Sequence, residues 1–403
     1  MSLFGVHRAL RNDIAVSTLS RFASQTLAIF LNFVLARALG VTGFGEYAFI
    51  SALILIGNAV STFGTDMVLI REISAEKDYS DIPASLTLQL GISFVFIVCV
   101  YIFSPLESLR VYAFSLIPLS FFTVATIALR GSQQIRLFSF LHLTFSFLQC
   151  ASACLIYLLD ENINQLALFL TLSHTFSAVI GLVVCFYKIP GFIMFSKPSF
   201  GNIIRLAQTS FSLALIGSLR LLYERLPVTI FPFFANLFLT GLFSASARVL
   251  DAIKLGYVSA LTPIYPEMAR DKTFLSRQTG LGLLLFSAIC LSLIIFFSAK
   301  YLIVFLFGSG FESGARALQI MVWALPFYVL VSYYSLGFLA LELEKPVLIS
   351  LAFSLLALLS ALMVATRLYG LAGGAAAALF AEILQASLLF VQWRKYALSK
   401  LPK

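Results

Sequence analysis

Residues 279–298 carry no charged side chain, and apolar runs of about this length recur from one end of the chain to the other. A run of about twenty apolar residues crosses a bilayer as a helix, which satisfies its own backbone hydrogen bonds. Continuous runs also favour helices over a membrane β-barrel, whose strands alternate polar and apolar at every second residue. Composition agrees: 60% of the 403 residues are hydrophobic, only 11% are charged, and mean hydropathy is +0.99. A soluble domain is nearer about a quarter charged. The chain therefore reads as an all-α integral membrane protein.

Hydropathy places about twelve spans near 14–36, 44–68, 84–104, 111–129, 138–159, 166–187, 207–233, 240–264, 279–298, 316–341, 346–367 and 371–392. The basic N-terminus, with His7, Arg8 and Arg11, leads into a helix bearing Arg21 and no small-residue cleavage pattern, so the first span is expected to be retained. With that terminus inside, the outer loops hold only Arg37, Arg110, Lys300, Arg316 and Arg367, and the remaining loop cations face the cytoplasm. Both termini are thus expected in the cytoplasm. The net charge of +9 belongs to these loops and anionic lipid, and implies no nucleic acid. The loops are too short for an extramembrane domain, which argues against a glycan polymerase or ligase.

The stretch 220–254 breaks the apolar rule. It carries Arg220, Glu224, Arg225, Arg248, Asp251 and Lys254 within two expected spans. Each such charge costs about 2.5–3.5 kcal/mol at a helix centre, so partners, water or a charged ligand must face them. Pairing alone is one explanation, since Arg220 and Glu224 are i,i+4 neighbours. A hydrated, net cationic site between helices is the other, and intramembrane ions mark function by default.

Helical periodicity extends the polar surface. Ser17, Arg21, Ser24, Gln25 and Asn32 share one face of the first span. Ser51, Asn58, Ser61, Thr62 and Thr65 form a stripe on the second, with Asp66 at its edge. A weak echo relates Gly45 at the start of span two to Gly241 at the start of span eight, pairing spans one and two with seven and eight. Two parallel six-span repeats, 1–200 and 201–403, would follow, with a central site between them. Pro227 and Pro232 are expected to bend or break span seven, Pro263 and Pro266 span eight, and Pro118 and Pro326 sit inside spans four and ten. Gly370 and Gly374 suit close helix packing. Glu382 reads either as a proton or cation site or as the partner of a neighbouring Arg.

Other chemistry is absent. Residues 43–48 satisfy a dinucleotide pattern, but they join two spans and no βαβ unit surrounds them. No P-loop or Ser/His/Asp set appears, and the five Cys lie in apolar runs without metal-ligand neighbours. No cofactor is expected.

Leu35-Ala36-Arg37-Ala38-Leu39-Gly40, then Gly43-Phe44-Gly45-Glu46-Tyr47 and Arg71-Glu72-Ile73, resemble the opening of the Wzx-type oligosaccharide-lipid flippases of the multidrug/oligosaccharidyl-lipid/polysaccharide (MOP) superfamily. Phe307-Gly308 with Phe311, Ala317-Leu318-Gln319-Ile320, Lys345-Pro346 and Tyr369 through Ala375 extend the resemblance through the second half. One departure is Glu224-Arg225, where relatives often carry an Asp in mid-span seven.

The resemblance implies a V-shaped, MATE-like pair of six-helix bundles with spans one, two, seven and eight lining a cavity. It implies export of an undecaprenyl-diphosphate-linked oligosaccharide to the outer leaflet of the bacterial inner membrane, for O-antigen or lipopolysaccharide synthesis. Arg21, Arg220, Arg225, Arg248 and Lys254 would meet the diphosphate, with Glu224, Asp251 and Asp66 beside them. Gln25, Asn32 and Asn58 would meet sugar hydroxyls. H+ or Na+ could couple transport, and a polysaccharide polymerase and a chain-length regulator are expected partners. The competing expectation is a cation-coupled multidrug exporter of the same superfamily, which favours a carboxylate-rich cavity.

Overall fold

In water a helix hides its apolar face; here the polar stripe is hidden instead. Along Ile82–Phe103, Ser85, Gln89 and Ser93 recur every four residues and are buried, while Phe94, Tyr101 and Phe103 point outward. Such an arrangement is stable only where the surroundings are as apolar as the side chains, in lipid.

The structure is a computed structural model that describes residues 3–192, 194, 196–261, 268, 280–341 and 343–400, with side chains described between 16 and 396. Every regular element among them is helical. In order these are α1 (Leu3–Thr62), α2 (Thr65–Glu76), α3 (Ile82–Phe103), α4 (Glu107–Ala113), α5 (Leu116–Gly131), α6 (Ile135–Leu159), α7 (Ile163–Lys188), α8 (Phe200–Phe234), α9 (Leu237–Leu261), α10 (Leu281–Phe307), a 3-10 turn (Ser309–Gly314), α11 (Ala315–Met321), α12 (Ala324–Ala340) and α13 (Glu344–Lys400).

Seven stretches are long and apolar enough to span a membrane, and an eighth appears when the pair bent by 49° before α12 is taken as one span. Two of the seven are double. α1 breaks at Gly40 (φ 64°, ψ −174°) and α13 at Gly370 (φ 55°, ψ −127°), conformations that a glycine adopts without steric cost. The charged stretch lies on α8 and α9, which are outside this set. A helix therefore stands at each of the twelve expected spans, in the fold class that the hydropathy predicted.

Three details correct the sequence reading. Span two ends at Thr62, because Phe63 and Gly64 turn left-handed and α2 starts afresh at Thr65. Thr65 and Asp66 thus belong to α2 rather than to the polar stripe of span two. The prolines also divide in their effect. Pro118 and Pro326 fall in the first turn of α5 and α12, just after a break, where a missing N–H costs nothing. Pro227 and Pro232, in contrast, lie inside α8, which stays helical through both. Between them the Thr229 hydroxyl donates to the carbonyls of Arg225 and Leu226 (3.2 and 3.1 Å). Pro263 and Pro266 lie outside the described residues.

By packing, the chain divides into unit 1, Met1–Leu39 with Ile50–Ser218, and unit 2, Gly40–Phe49 with Leu219–Lys403. Unit 1 is held by apolar packing of α2, α5 and α7 around Ile73, Val124, Ala128 and Leu141, with hydroxyl contacts threaded through it. Thr65 Oγ1 meets Ser85 Oγ at 2.9 Å, Gln89 Nε2 donates to the same oxygen at 2.9 Å, and Ser93 Oγ donates to Ser61 Oγ at 3.0 Å. Outside the spans, Arg205 at the start of α8 is ion-paired with Asp81, the residue before α3.

Unit 2 packs α9, α11, α12 and α13 around Phe231, Phe243, Tyr334 and Trp393. A close crossing in it joins the two glycines that the sequence paired. A Cβ on Gly45 would lie 1.9 Å from the Leu237 carbonyl oxygen, and one on Gly241 would lie 2.0 Å from that of Val41. The contact is reciprocal: Val41 stands to Gly45 as Leu237 stands to Gly241, four residues earlier in each helix. Each glycine thus admits the backbone of the other helix one turn before the partner glycine. Gly374 likewise leaves room for the Phe231 ring, 2.1 Å from where its Cβ would stand.

Candidate functional site

The Gly45–Gly241 crossing brings the second arm of α1 against α9, and α8 precedes α9 by a turn of two residues. This places Tyr47, Arg225, Arg248, Asp251 and Lys254 in one region of unit 2. Tyr47 is buried, and Arg248 and Arg225 both act on it electrostatically. Arg248 is half-buried and stands within electrostatic range of Tyr47, Arg225 and Asp251. Among the described residues, no carboxylate reaches salt-bridge distance of it.

Arg225 is scarcely better satisfied. Its Nη1 stands 3.8 Å from Asp251 Oδ2, at the outer limit for an ion pair, and its buried Nε has no acceptor. The half-exposed Asp251 carboxylate is thus paired loosely with Arg225 and acts on Arg248 only from beyond ion-pair distance. An incompletely paired cation inside a membrane protein is costly, so this arrangement points to an anion or to water as the missing partner.

Lys254 is different. Its Nζ donates to Glu382 Oε1 at 2.6 Å, and the two side chains are only 18% and 9% exposed. The ammonium also lies 4.6 Å from the Tyr328 ring centroid, a cation–π contact. Tyr223 of α8 stands near Glu382. Of the two sequence readings for Glu382, the structure supports a partner, and the partner is a lysine rather than an arginine. Arg220 and Glu224 form the expected i,i+4 pair at 3.3 Å, with exposed side chains.

In unit 1 the candidates are dispersed along α1. Arg21 and Gln25 are exposed on its first arm. Asn32 is buried, donating from Nδ2 to the Ala28 carbonyl at 2.6 Å and leaving its Oδ1 without a partner. Asn58 is half-buried on the second arm, and Asp66 is half-buried in the first turn of α2. Tyr47, Tyr223 and Tyr328 escaped sequence reasoning. Tyrosines are common in membrane helices, and only the fold tells these three from the rest. Among the described residues, no group of three or more His, Cys, Asp or Glu side chains could hold a metal ion.

The described helices thus form two compact units, with a cluster of charged side chains on α8 and α9 of unit 2. The fold is similar to that of a lipid II flippase MurJ in an inward-closed conformation (TM-score 0.76, 16% identity, covering 94% of this chain and 87% of the other). It is also similar to an inward-facing multidrug resistance MATE family transporter of the MOP superfamily (TM-score 0.73, 16% identity, 94% and 96%). A MOP superfamily transporter from Pyrococcus furiosus matches at TM-score 0.58 (17% identity, 96% and 94%). No curated protein matches by sequence. The model of the polysaccharide biosynthesis protein family matches residues 10–271, and the chain belongs to that family.

Proposed function

We propose that the protein is a flippase that moves an undecaprenyl-diphosphate-linked oligosaccharide from the cytoplasmic to the outer leaflet of a bacterial inner membrane, for O-antigen or related surface polysaccharide synthesis. The observation that carries this reading is the pair Arg225 and Arg248, embedded in the spans with one loosely held carboxylate between them. Guanidinium groups bind phosphate oxygens by charge-assisted, often bidentate hydrogen bonds. Arg220 is a further cation on the same helix as Arg225. On unit 1, Arg21, Gln25, Asn32 and Asn58 are the proposed contacts for sugar hydroxyls and acidic substituents.

The fold alone does not choose between this substrate and a cationic drug, since MurJ and MATE structures are about equally similar. The charges choose. A site for cations needs carboxylates in excess, and here Arg225, Arg248 and Lys254 outnumber Asp251 and Glu382. The energetics suit an anion: carrying negative charge outward down an inside-negative potential gains about 2.3 kcal/mol per charge per 100 mV. Both termini are proposed to be cytoplasmic. A coupling H+ or Na+, and association with a polymerase and a chain-length regulator, belong to the same proposal.

Deleting the gene should trap lipid-linked repeat units on the cytoplasmic leaflet and strip polysaccharide from the cell surface. Wild-type protein should restore export, whereas Arg248→Ala and Arg21→Ala should not, at equal membrane abundance. Unchanged surface polysaccharide in the deletion strain would remove the flippase reading. Full export by both variants would leave these charges as structural.

A further inference from the structure

Lys254 and Arg248 lie on the same helix and both face buried polar surroundings, yet they differ in one respect. The Lys254 ammonium is closed off: Glu382 Oε1 at 2.6 Å, the Tyr328 ring at 4.6 Å, and side-chain exposure of 18% against 9% for its partner. Glu382 comes from the second arm of α13, 128 residues further along the chain, so three helices meet at this contact. Tyr223 of α8 and Tyr328 are polar neighbours of the carboxylate, and Asp251 is the second acid near the ammonium.

We infer that Glu382 is a specificity-determining mask: it neutralises Lys254 and withholds it from the anionic headgroup, leaving Arg225 and Arg248 as the anion receptor of unit 2. This inference rests on the proposed anionic substrate and adds which cations that substrate does not meet. The physical argument concerns release. A third free cation beside Arg225 and Arg248 would deepen the anion site, and an anion held too tightly is carried slowly, because transport needs the bound state left as well as entered. A buried carboxylate at hydrogen-bond distance from Lys254 removes that attraction and keeps the lysine stem in place. In this role Lys254 and Glu382 are positioning residues, and the pair contributes no net charge to the site.

The test uses the full chain in detergent micelles, with farnesyl diphosphate as the probe. Wild type should bind it. Glu382→Gln frees the ammonium and should bind at least threefold more tightly, while export in cells falls. The double variant Lys254→Met with Glu382→Gln replaces both ions by neutral side chains of similar shape, and should bind as wild type does and recover export. Size-exclusion profiles and thermal unfolding identify folded samples. Should Lys254→Met alone fail to fold with Glu382 left unpaired, the double variant still decides the matter.

A loss of binding of about tenfold or more in the folded double variant would make Lys254 a direct ligand and overturn the inference while leaving the anionic substrate standing. Unchanged affinity in folded Glu382→Gln would also overturn it. If the wild type failed to bind the probe at all, the inference would fall together with the reading on which it rests.

Discussion

In unit 1 the buried polar side chains are hydroxyls and amides that answer one another: Thr65 with Ser85, Gln89 with Ser85, Ser93 with Ser61, Ser152 with Ser173 at 2.6 Å. In unit 2 they include ions: Lys254 with Glu382, Arg225 loosely with Asp251, and Arg248 with no acid at ion-pair distance among the described residues. Both sets sit within helices that cross or line the same apolar medium. Neutral hydrogen bonds in that medium are modest and exchangeable, about 0.6 kcal/mol on average. Ions there are costly, and each one that persists needs a reason beyond packing. Within unit 2 the difference separates a closed pair from two loosely held cations.

The largest effect should come from splitting the closed pair. Lys254→Met leaves the Glu382 carboxylate buried beside Tyr223 without its counter-ion, and should destabilise the protein by about 3–5 kcal/mol, read as thermal unfolding in detergent. A loss under about 1 kcal/mol would mean that water already reaches Glu382.

Arg248→Ala should do the reverse. Removing a cation that holds no carboxylate costs little stability, whereas export should fall by at least about tenfold, since a charge-assisted phosphate contact is worth more than about 1.4 kcal/mol. Equal losses of stability and export would erase the contrast between Arg248 and Lys254.

Ser85→Ala, in the hydroxyl network of unit 1, removes the bonds to Thr65 and Gln89. It should cost about 1 kcal/mol of stability and leave export intact. Export loss at full abundance would show that the neutral network is also functional.

The smallest effect lies outside the spans. Burial, together with the neighbouring Asp81 carboxylate, holds the Glu72 pKa above the usual glutamate range, against the opposing pull of Arg205. A raised carboxyl pKa favours the protonated form in the fold. The associated stability is therefore present at acid pH and lost as pH rises through the folded pKa. Glu72→Gln should accordingly raise the unfolding temperature slightly at pH 7 and leave it unchanged near pH 4, in paired melts at the two values. A destabilised Glu72→Gln at neutral pH would instead mean that its contact with Arg205 or Arg71 prevails.

Much of the fold was legible from residues alone. The spans followed from uncharged runs such as 279–298, because a bilayer imposes length and apolarity on any helix that crosses it. The sequence matched Gly45 with Gly241 as equivalent positions, and the structure shows that they also lie where two helices approach closely. The charged stretch 220–254 stood out for its cost. Proline was a weaker guide: it marked breaks before α5 and α12, but Pro227 and Pro232 sit within an unbroken α8.

The sequence by itself determined that this chain is a bundle of membrane-crossing helices, which ones carry charge, and that the charge needs partners. Those properties depend on local composition and on transfer energies that act residue by residue. Only the tertiary structure decided who the partners are. Lys254 and Glu382 are 128 positions apart, and Tyr47 comes within electrostatic range of Arg248 where two glycines let α1 and α9 cross backbone to backbone. The range of an ion pair is a few ångströms in space and has no counterpart in sequence separation, so which cations are closed and which stay open was settled by the packing.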